Sequence, residues 1–259
     1  RIRGVSVQVT VCEKGRRLRR ILPAAIYAAA TFVAMSFAAA LKADEGFAYP
    51  LFDGESLAGW TVENGCQASV GDGTLRLDGG DGWLRSHGAL SDFDLHIEWK
   101  ALKETEYDAG IYFRAGLEGS PFPKQGYQVN LKQGREGQIA GLEGATSQVP
   151  VHPAGEWNAF DLSVRGETVA LSVNGRPAYR VGGLKREGGY VGIQVEVPLG
   201  GRFEFRNLLI TDPTRRALFN GQDLSGWESV GGQADISWSV DDGVLTCRPG
   251  RGPWLRSAE

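Results

Sequence analysis

The sequence predicts an all-β protein whose strands pack as an antiparallel sandwich or jelly roll. Three observations support this fold class. Apolar and polar residues alternate strictly over several segments, Asn-Gly and Asp-Gly pairs occur between such segments, and no stretch after residue 43 shows convincing helical periodicity. Strict alternation buries one face of a strand and leaves the other for solvent or ligand. Many short strands joined by glycine-rich turns are typical of sandwiches and jelly rolls.

Four segments alternate most clearly and are predicted to be strands. They cover residues 93–100, 127–132, 160–165 and 191–197. Asn174-Gly175 separates two further apolar segments and is the strongest short signal for a β-hairpin. Asp72-Gly73 and Asp242-Gly243 predict equivalent turns elsewhere in the chain.

An internal repeat divides the chain. The segment from Leu51 to Trp60 recurs from Leu218 to Trp227, and the segment from Trp83 to Ser86 recurs from Trp254 to Ser257. Such a long period indicates tandem domains and not a solenoid. We therefore predict a sandwich over residues 48–212, a linker over 213–217 and a truncated second copy over 218–259. That copy is too short to close a sandwich, so we expect it to pack poorly by itself.

Residues 1–43 are predicted to be a secretory signal peptide or an N-terminal anchor. A basic cluster over residues 14–20 precedes an uncharged, alanine-rich run over residues 21–41, which is the layout of a signal peptide. The run also approaches the roughly 20 residues that span a bilayer. In both cases we expect a secreted or periplasmic protein, with membrane contact only through an uncleaved N-terminal segment.

The charge of the exported part argues against nucleic acid as a partner. Residues 1–43 hold eight of the 28 Lys and Arg residues and one of the 31 Asp and Glu residues, so the remainder has a net charge of −10. An acidic surface repels phosphate backbones. Cys66 and Cys247 remain in this part, and the sequence does not decide whether they pair.

An ordered set of short motifs covers about residues 50–212. They are Leu51–Gly54 with Gly59-Trp60, Asp92–Leu95 with Glu98-Trp99, Ala109–Arg114, Gly126–Val129, Gly155–Asn158, Val173–Gly175, Gly189–Gln194 and Phe203–Asn207. In this order they resemble the 3-keto-disaccharide hydrolase domain family, also described as 3-keto-glycoside lyase/hydratase domains. The resemblance implies a concanavalin A-like jelly-roll fold. It also implies an exported domain that cleaves 3-keto-glycosides by hydrolysis or by elimination and hydration.

The chain departs from the family pattern at polar positions. Family members often have an acidic residue where Gln128 stands and another near Lys132. Many also have a histidine shortly after the segment equivalent to 192–194, where this chain has Val195, Glu196 and Val197. These departures bear on the activity and not on the fold.

The implied chemistry needs three kinds of group. A ketone at C3 of a sugar acidifies the hydrogen at C2, so a base, a donor to the enolate oxygen and a donor to the leaving group are required. We expect them on the polar alternation of the concave sheet. The catalytic candidates are Glu98 and Glu196 as bases and Arg114 as oxyanion donor; the substrate-binding candidates are Tyr112, Gln128, Asn130 and Gln194. The alternatives are that the carboxylates and amides lie on solvated faces and that Arg114 forms a structural ion pair.

No cofactor is firmly predicted, and a divalent metal is left open. No His-x-His or His-Glu-x-x-His spacing is present, so a strong metal site is not visible. His96 shares a strand face with Glu98, but a lone strand histidine is more often structural. Asp72, Asp78 and Asp81 offer oxygen ligands for calcium, although hairpin turns explain them better.

Two further readings follow from what is present and what is missing. A retaining glucanase of this fold needs a second carboxylate soon after a Glu-x-Asp, and Glu106-Tyr107-Asp108 lacks one, which argues against that class. Trp60 and Trp227 are repeat-equivalent and are therefore expected in a core.

The alternative to an enzyme is a non-catalytic carbohydrate-binding module, and a third interpretation is an adhesion domain.

Overall fold

The computed structural model describes residues 46–196, 200–248, 250 and 252–258. The signal peptide or anchor predicted over residues 1–43 lies outside these residues. Within them, no helix has the length and apolar character needed to cross a bilayer. The chain divides into two compact units, with the division between Arg216 and Ala217.

The first unit consists of thirteen strands. In chain order they are β1 (Phe47–Pro50), β2 (Trp60–Asn64), β3 (Gln67–Gly71), β4 (Thr74–Gly79), β5 (Gly82–Leu90), β6 (Phe93–Ala101), β7 (Ala109–Ala115), β8 (Tyr127–Asn130), β9 (Asn158–Arg165), β10 (Thr168–Val173), β11 (Arg176–Val181), β12 (Gly189–Val195) and β13 (Phe203–Asp212). The predicted strands are confirmed, except that the last two residues of 127–132 lie outside β8, Glu196 lies just beyond β12 and Val197 is outside the described residues.

These strands form two antiparallel sheets. The eight-stranded sheet has the order β11-β10-β9-β6-β13-β4-β3, and β1 pairs with the second half of β13. The five-stranded sheet has the order β2-β5-β12-β7-β8. The fold is therefore the predicted all-β, concanavalin A-like jelly-roll sandwich.

The core lies between the two sheets, and alternation dictates which side chains fill it. On β6, Phe93, Leu95, Ile97 and Trp99 are buried, while the residues between them are half-exposed. The hairpin predicted at Asn174-Gly175 is present between β10 and β11. Both turn residues have positive φ values, 50° and 74°, as a two-residue hairpin turn requires.

The second unit contains two short strand pairs. Its strands are β14 (Trp227–Val230), β15 (Trp238–Asp241), β16 (Val244–Cys247) and β17 (Trp254–Ser257), with a 3-10 turn over Ala234–Ile236. β14 pairs with β17 and β15 with β16. Among its described residues only Ser237 and Pro253 are buried, so this unit has no hydrophobic core of its own in the part described.

Candidate functional site

The outward face of the five-stranded sheet collects most of the polar and aromatic residues predicted to bind sugar. Directly opposed residues of neighbouring strands point to the same side of a sheet, so the registers define two rows across this face. The first row contains Thr61, Arg85, Gly192, Tyr112 and Gln128, and the second contains Glu63, Trp83, Gln194, Gly110 and Asn130. We call these ten residues the front face.

An aromatic cluster stands over the front face, apart from the main core. Trp83 and Tyr112 meet edge to face with ring centroids 5.6 Å apart, and Phe122 and Tyr190 pack beside them. Phe122 belongs to the loop over residues 116–126. Asn64 on β2 donates a 2.7 Å hydrogen bond to the Pro121 carbonyl and ties that loop to the sheet edge. Trp83 and Tyr112 are themselves buried, at 2 % and 8 % exposure, so the aromatic surface left for the apolar face of a sugar ring comes from the half-buried Phe122 and Tyr190.

Two glycines give the front face a flat floor. A Cβ at Gly192 would lie 2.4 Å from the Trp83 ring, and a Cβ at Gly110 would lie 2.0 Å from the Gln128 amide nitrogen. Trp83 and Gln128 therefore occupy the space that side chains on the neighbouring strand would otherwise fill. Because Gly192 and Gly110 have no side chains, the side chains of Trp83 and Gln128 can extend over the neighbouring strand.

Gln194 presents a buried acceptor without a donor. The residue is 3 % exposed, and its Oε1 has no hydrogen-bond partner among the described residues. A buried acceptor left unsatisfied costs about 1–3 kcal/mol. A hydroxyl group of a bound ligand can supply the missing donor.

Glu63, Arg85 and Tyr190 form an array that the sequence patterns did not reveal. Arg85 Nε lies 2.6 Å from Glu63 Oε1, and the Arg85 guanidinium lies 4.6 Å from the centre of the Tyr190 ring. The alternation in β2 is too irregular to assign Glu63 to a face. The one sequence feature that marked Arg85 was its place in the segment Trp83–Ser86, which recurs at Trp254–Ser257.

Glu196 lies at the end of β12, two residues beyond Gln194. It is exposed, and its carboxylate makes no hydrogen bond or ion pair with the described residues. Burial raises the pKa of Tyr112, and the charge of Glu196 raises it further. Tyr112 therefore stays protonated and able to donate, within electrostatic range of the Glu196 carboxylate, whose charge also helps to raise the pKa of Lys132.

Lys132 occupies the same end of the sheet. Its Nζ lies 2.5 Å from Asp108 Oδ2, and the pairing with Asp108 raises the pKa of Lys132. The resemblance led us to note an acidic residue near this position in relatives. In this chain the position is occupied by Lys132, which forms an ion pair with Asp108.

Arg114 is not part of the front face, and the expectation that it holds a ligand oxygen there is not met by the geometry. The side chain is 1 % exposed and donates to the carbonyls of Ser91, Gly166 and Arg186 and to Asp92 Oδ1. Its guanidinium thus ties three loops together. The structural ion pair that we considered as the alternative is the arrangement observed.

Glu98 lies on the other side of the sandwich, so the expectation that all candidates share one face is wrong for it. It faces outward from the eight-stranded sheet, where Arg206 Nε approaches it at 2.6 Å and Asn207 Nδ2 at 2.7 Å. Burial raises its pKa, but these donors and the Arg206 charge outweigh burial and lower the pKa overall. A carboxylate held in this way is a poor base.

The remaining candidates have structural surroundings. No group of three His, Cys, Asp or Glu residues suited to a metal occurs among the described residues. Asp78 accepts a 2.6 Å hydrogen bond from Ser69, and Asp72 occupies a turn. Cys66 is buried with a thiol pKa raised to about 11, Cys247 is exposed, and both are free.

The tryptophans divide between core and surface. Trp60 is buried, as expected, whereas Trp227 in the second unit is half-buried. Trp157 lies on the outside of the eight-stranded sheet, with the Arg206 guanidinium 4.0 Å and the Lys100 Nζ 4.6 Å from its ring centre. Two cations on its ring make Trp157 a packing partner for charged side chains and not a free stacking platform.

The fold defines a jelly-roll domain, and a family match gives its carbohydrate-active class. A family model for the 3-keto-alpha-glucoside-1,2-lyase-like domain matches residues 48–211. The chain belongs to this family. A search of curated proteins found no significant match.

Solved structures share the fold at low sequence identity. A proposed glycosyl hydrolase from Parabacteroides distasonis is 20 % identical, with a TM-score of 0.51 over 65 % of this chain and 94 % of that chain. A second one from the same organism is 15 % identical, with a TM-score of 0.52 over 64 % of this chain and 99 % of that chain. The carbohydrate-binding module CBM66 from Bacillus subtilis is 16 % identical, with a TM-score of 0.49 over 60 % and 96 %. The first two show the fold alone.

Proposed function

We propose that the domain over residues 48–212 is exported and cleaves 3-keto-glycosides at the front face, by elimination followed by hydration. The observation that carries the proposal is the unengaged carboxylate of Glu196 beside the protonated Tyr112. Tyr112 belongs to the aromatic cluster, and Gln194 with its unsatisfied acceptor precedes Glu196 by two residues. The family match supports the substrate class.

The reaction divides between these groups. Glu196 takes the proton from C2, and the electron pair of the C2–H bond forms an enolate with its charge on the C3 oxygen. Donors on the face, the Tyr112 hydroxyl and the Gln128 amide, stabilise that oxygen. The enolate then re-forms the ketone, the C1–C2 double bond forms and the C1–O bond breaks, while the departing oxygen takes the proton that Glu196 removed from C2 and the carboxylate is restored. Water adding across C1 and C2 gives the free 3-keto sugar.

A specific observation favours a second candidate, a non-catalytic carbohydrate-binding module. Gln128, Asn130 and Gln194 are amides that read hydroxyl groups without moving protons. Asp108 is paired with Lys132, which leaves Glu196 as the one carboxylate among the described residues that we propose as the base. If Glu196 were not within reach of C2, the face would bind sugar and do nothing further.

We also propose that the second unit begins another copy of the domain. In the first unit Trp60 lies opposite Ser86 and Val62 opposite Leu84, and in the second Trp227 lies opposite Ser257 and Ser229 opposite Leu255. The carboxylate partners are not equivalent, since Arg256 pairs with the directly opposite Glu228, whereas Arg85 pairs with Glu63, two residues beyond the directly opposite Thr61. The shared register supports the repeat.

The test is release of the aglycone from 4-nitrophenyl 3-keto-β-glucoside, with and without added divalent metal. Loss of a positioned base typically lowers a rate by about 10²–10⁴, so Glu196→Gln is expected to release at least about 100-fold more slowly. Glu98→Gln serves as the matched control and keeps the wild-type rate. If the wild type releases nothing yet binds oligosaccharide, the enzyme proposal fails and the binding module stands.

A further inference from the structure

The outward face of the eight-stranded sheet carries two adjoining grooves, remote from the front face. The first, of about 280 Å³, is lined by Asp161, Ser172 and Arg180 among others. The second, of about 320 Å³, is lined by Asp53 and Asn207 among others. His96 and Leu209 line both, so the two grooves meet at these residues. We call this surface the back groove.

His96 is held in one orientation and leaves one nitrogen available. Its Nδ1 lies 2.6 Å from Asp161 Oδ1, which fixes the ring across β6 and β9. Its Nε2 lies 3.8 Å from Glu98 Oε1, so it feels the charge of that carboxylate but makes no hydrogen bond of ordinary length with it. His96 lines both grooves, and its Nε2 can still exchange a hydrogen bond with a ligand hydroxyl.

Other polar groups of the first groove are similarly unused. Arg180 and the Ser172 hydroxyl make no hydrogen bond or ion pair with the described residues, and Asp161 Oδ2 has none either. The groove thus offers a cationic donor, a hydroxyl and a carboxylate acceptor within one row of strands. Leu209, which is 40 % exposed, adds an apolar surface where the grooves meet.

The charges restrict the class of ligand. Asp53, Asp94 and Asp161 line the grooves against one arginine, which disfavours phosphate and other anions. The described residues contain no metal-binding group that would bring in a cation. Mixed donors and acceptors beside an exposed leucine suit a neutral ligand with many hydroxyl groups and an apolar ring face.

We propose that the back groove is a second, non-catalytic binding site for a neutral oligosaccharide, separate from the front face. It goes beyond the proposed function and rests on it only for the carbohydrate class of the ligand. Such a site would hold a glycan chain on the domain while the front face acts on its own substrate. Its existence does not depend on whether the front face is catalytic.

Histidine NMR tests this directly, because the chain has three histidines. The whole chain, labelled at the histidine side chains, is titrated with cellohexaose and with maltohexaose, and His96→Gln assigns the His96 signal. We expect a saturable shift of that signal with at least one hexasaccharide. Absence of any shift with both would overturn the proposal.

Matched variants identify the groove as the origin of the shift. Ser172→Trp fills the groove and is expected to abolish the shift, whereas Thr168→Trp, on the same strand and face but outside the grooves, retains it. Should Ser172→Trp not fold, the exposed Arg180→Ala is expected to weaken binding about fivefold, the worth of one hydrogen bond. Gln194→Leu on the front face is expected to retain the shift. Loss of the shift in Gln194→Leu would mean that it arises at the front face, and the proposal would be wrong.

Discussion

At the scale of single residues, the charged side chains separate into those committed to structure and those left free. Arg114 and Glu98 have all their strong partners within the protein. Glu196 and Gln194 Oε1 have none among the described residues. This difference in engagement, more than residue type, is the reason that we propose the front-face groups as the ones that meet a ligand.

Arg114→Ala is expected to destabilise the first unit by about 3 kcal/mol, because it leaves three loop carbonyls without their donor and Asp92 without its cation. Urea denaturation measures the change. Arg202→Ala is the control, since Arg202 is 67 % exposed and its ion pair spans 3.9 Å, and its effect should stay within about 0.5 kcal/mol. Equal stabilities for the two variants would contradict the structural role of Arg114.

Asp161→Asn is expected to lower the pKa of His96. In the folded protein the hydrogen bond that His96 donates to Asp161 is the largest cause of the raised His96 pKa; burial opposes it and the charge of Glu98 adds to it, while Leu209 from β13 adds no charge. The stabilisation is therefore complete below the ordinary value of about 6.5 and is lost as pH rises through the raised pKa. An NMR titration of the His96 ring measures the shift, with Asp78→Asn as control. An unchanged His96 pKa in Asp161→Asn would refute the assignment.

At the scale of elements, strand alternation predicted which residues share a face but not which sheet a strand joins. Glu98 on β6 and Gln194 on β12 both alternate with core residues, so both fitted a ligand face. The pairing of β6 with β9 and β13, and of β12 with β5 and β7, places them on opposite sides of the sandwich. Those pairings join segments far apart in sequence, and no local pattern encodes them.

Gly192→Ala is expected to weaken sugar binding and lower stability, because the new Cβ would press on the Trp83 ring and the Leu84 carbonyl. Gly110→Ala meets only the Gln128 side chain, which can move, so binding should weaken with little loss of stability. Gly71→Ala, with nothing within 4 Å of its added Cβ, is the control for both. Calorimetric titration with oligosaccharide and thermal unfolding measure the effects. Wild-type binding by both Gly192→Ala and Gly110→Ala would show that sugar binding does not require the flat floor.

At the scale of the whole molecule, hydrophobic burial is concentrated in the first unit. Every buried hydrophobic residue among those described lies between Phe52 and Ile210. The repeat in the sequence predicted where the second unit begins to resemble the first. It did not reveal that Arg256 forms an ion pair with the residue directly opposite it, whereas Arg85 forms one with a residue two positions further along β2. That difference depends on the strand pairing.

Hydrogen exchange should follow this division. Amides of β6, β9 and β13 are expected to exchange slowly, since they lie in central strands above the core, and those of β14 and β17 quickly, since two-stranded pairs without a core are marginal. Mass spectrometry of peptides from one sample compares them internally. Equal protection of β6 and β17 would show that the second unit is stabilised by more than its described residues supply.

We propose above that the front face binds the sugar. A crystal structure of Glu196→Gln with a bound 3-keto-glucoside can test this claim. We expect the ring over Trp83 and Tyr112, a hydroxyl within hydrogen-bond distance of Gln194 Oε1, and C2 facing the side chain of residue 196. A front face that stays empty at saturating ligand would contradict the claim.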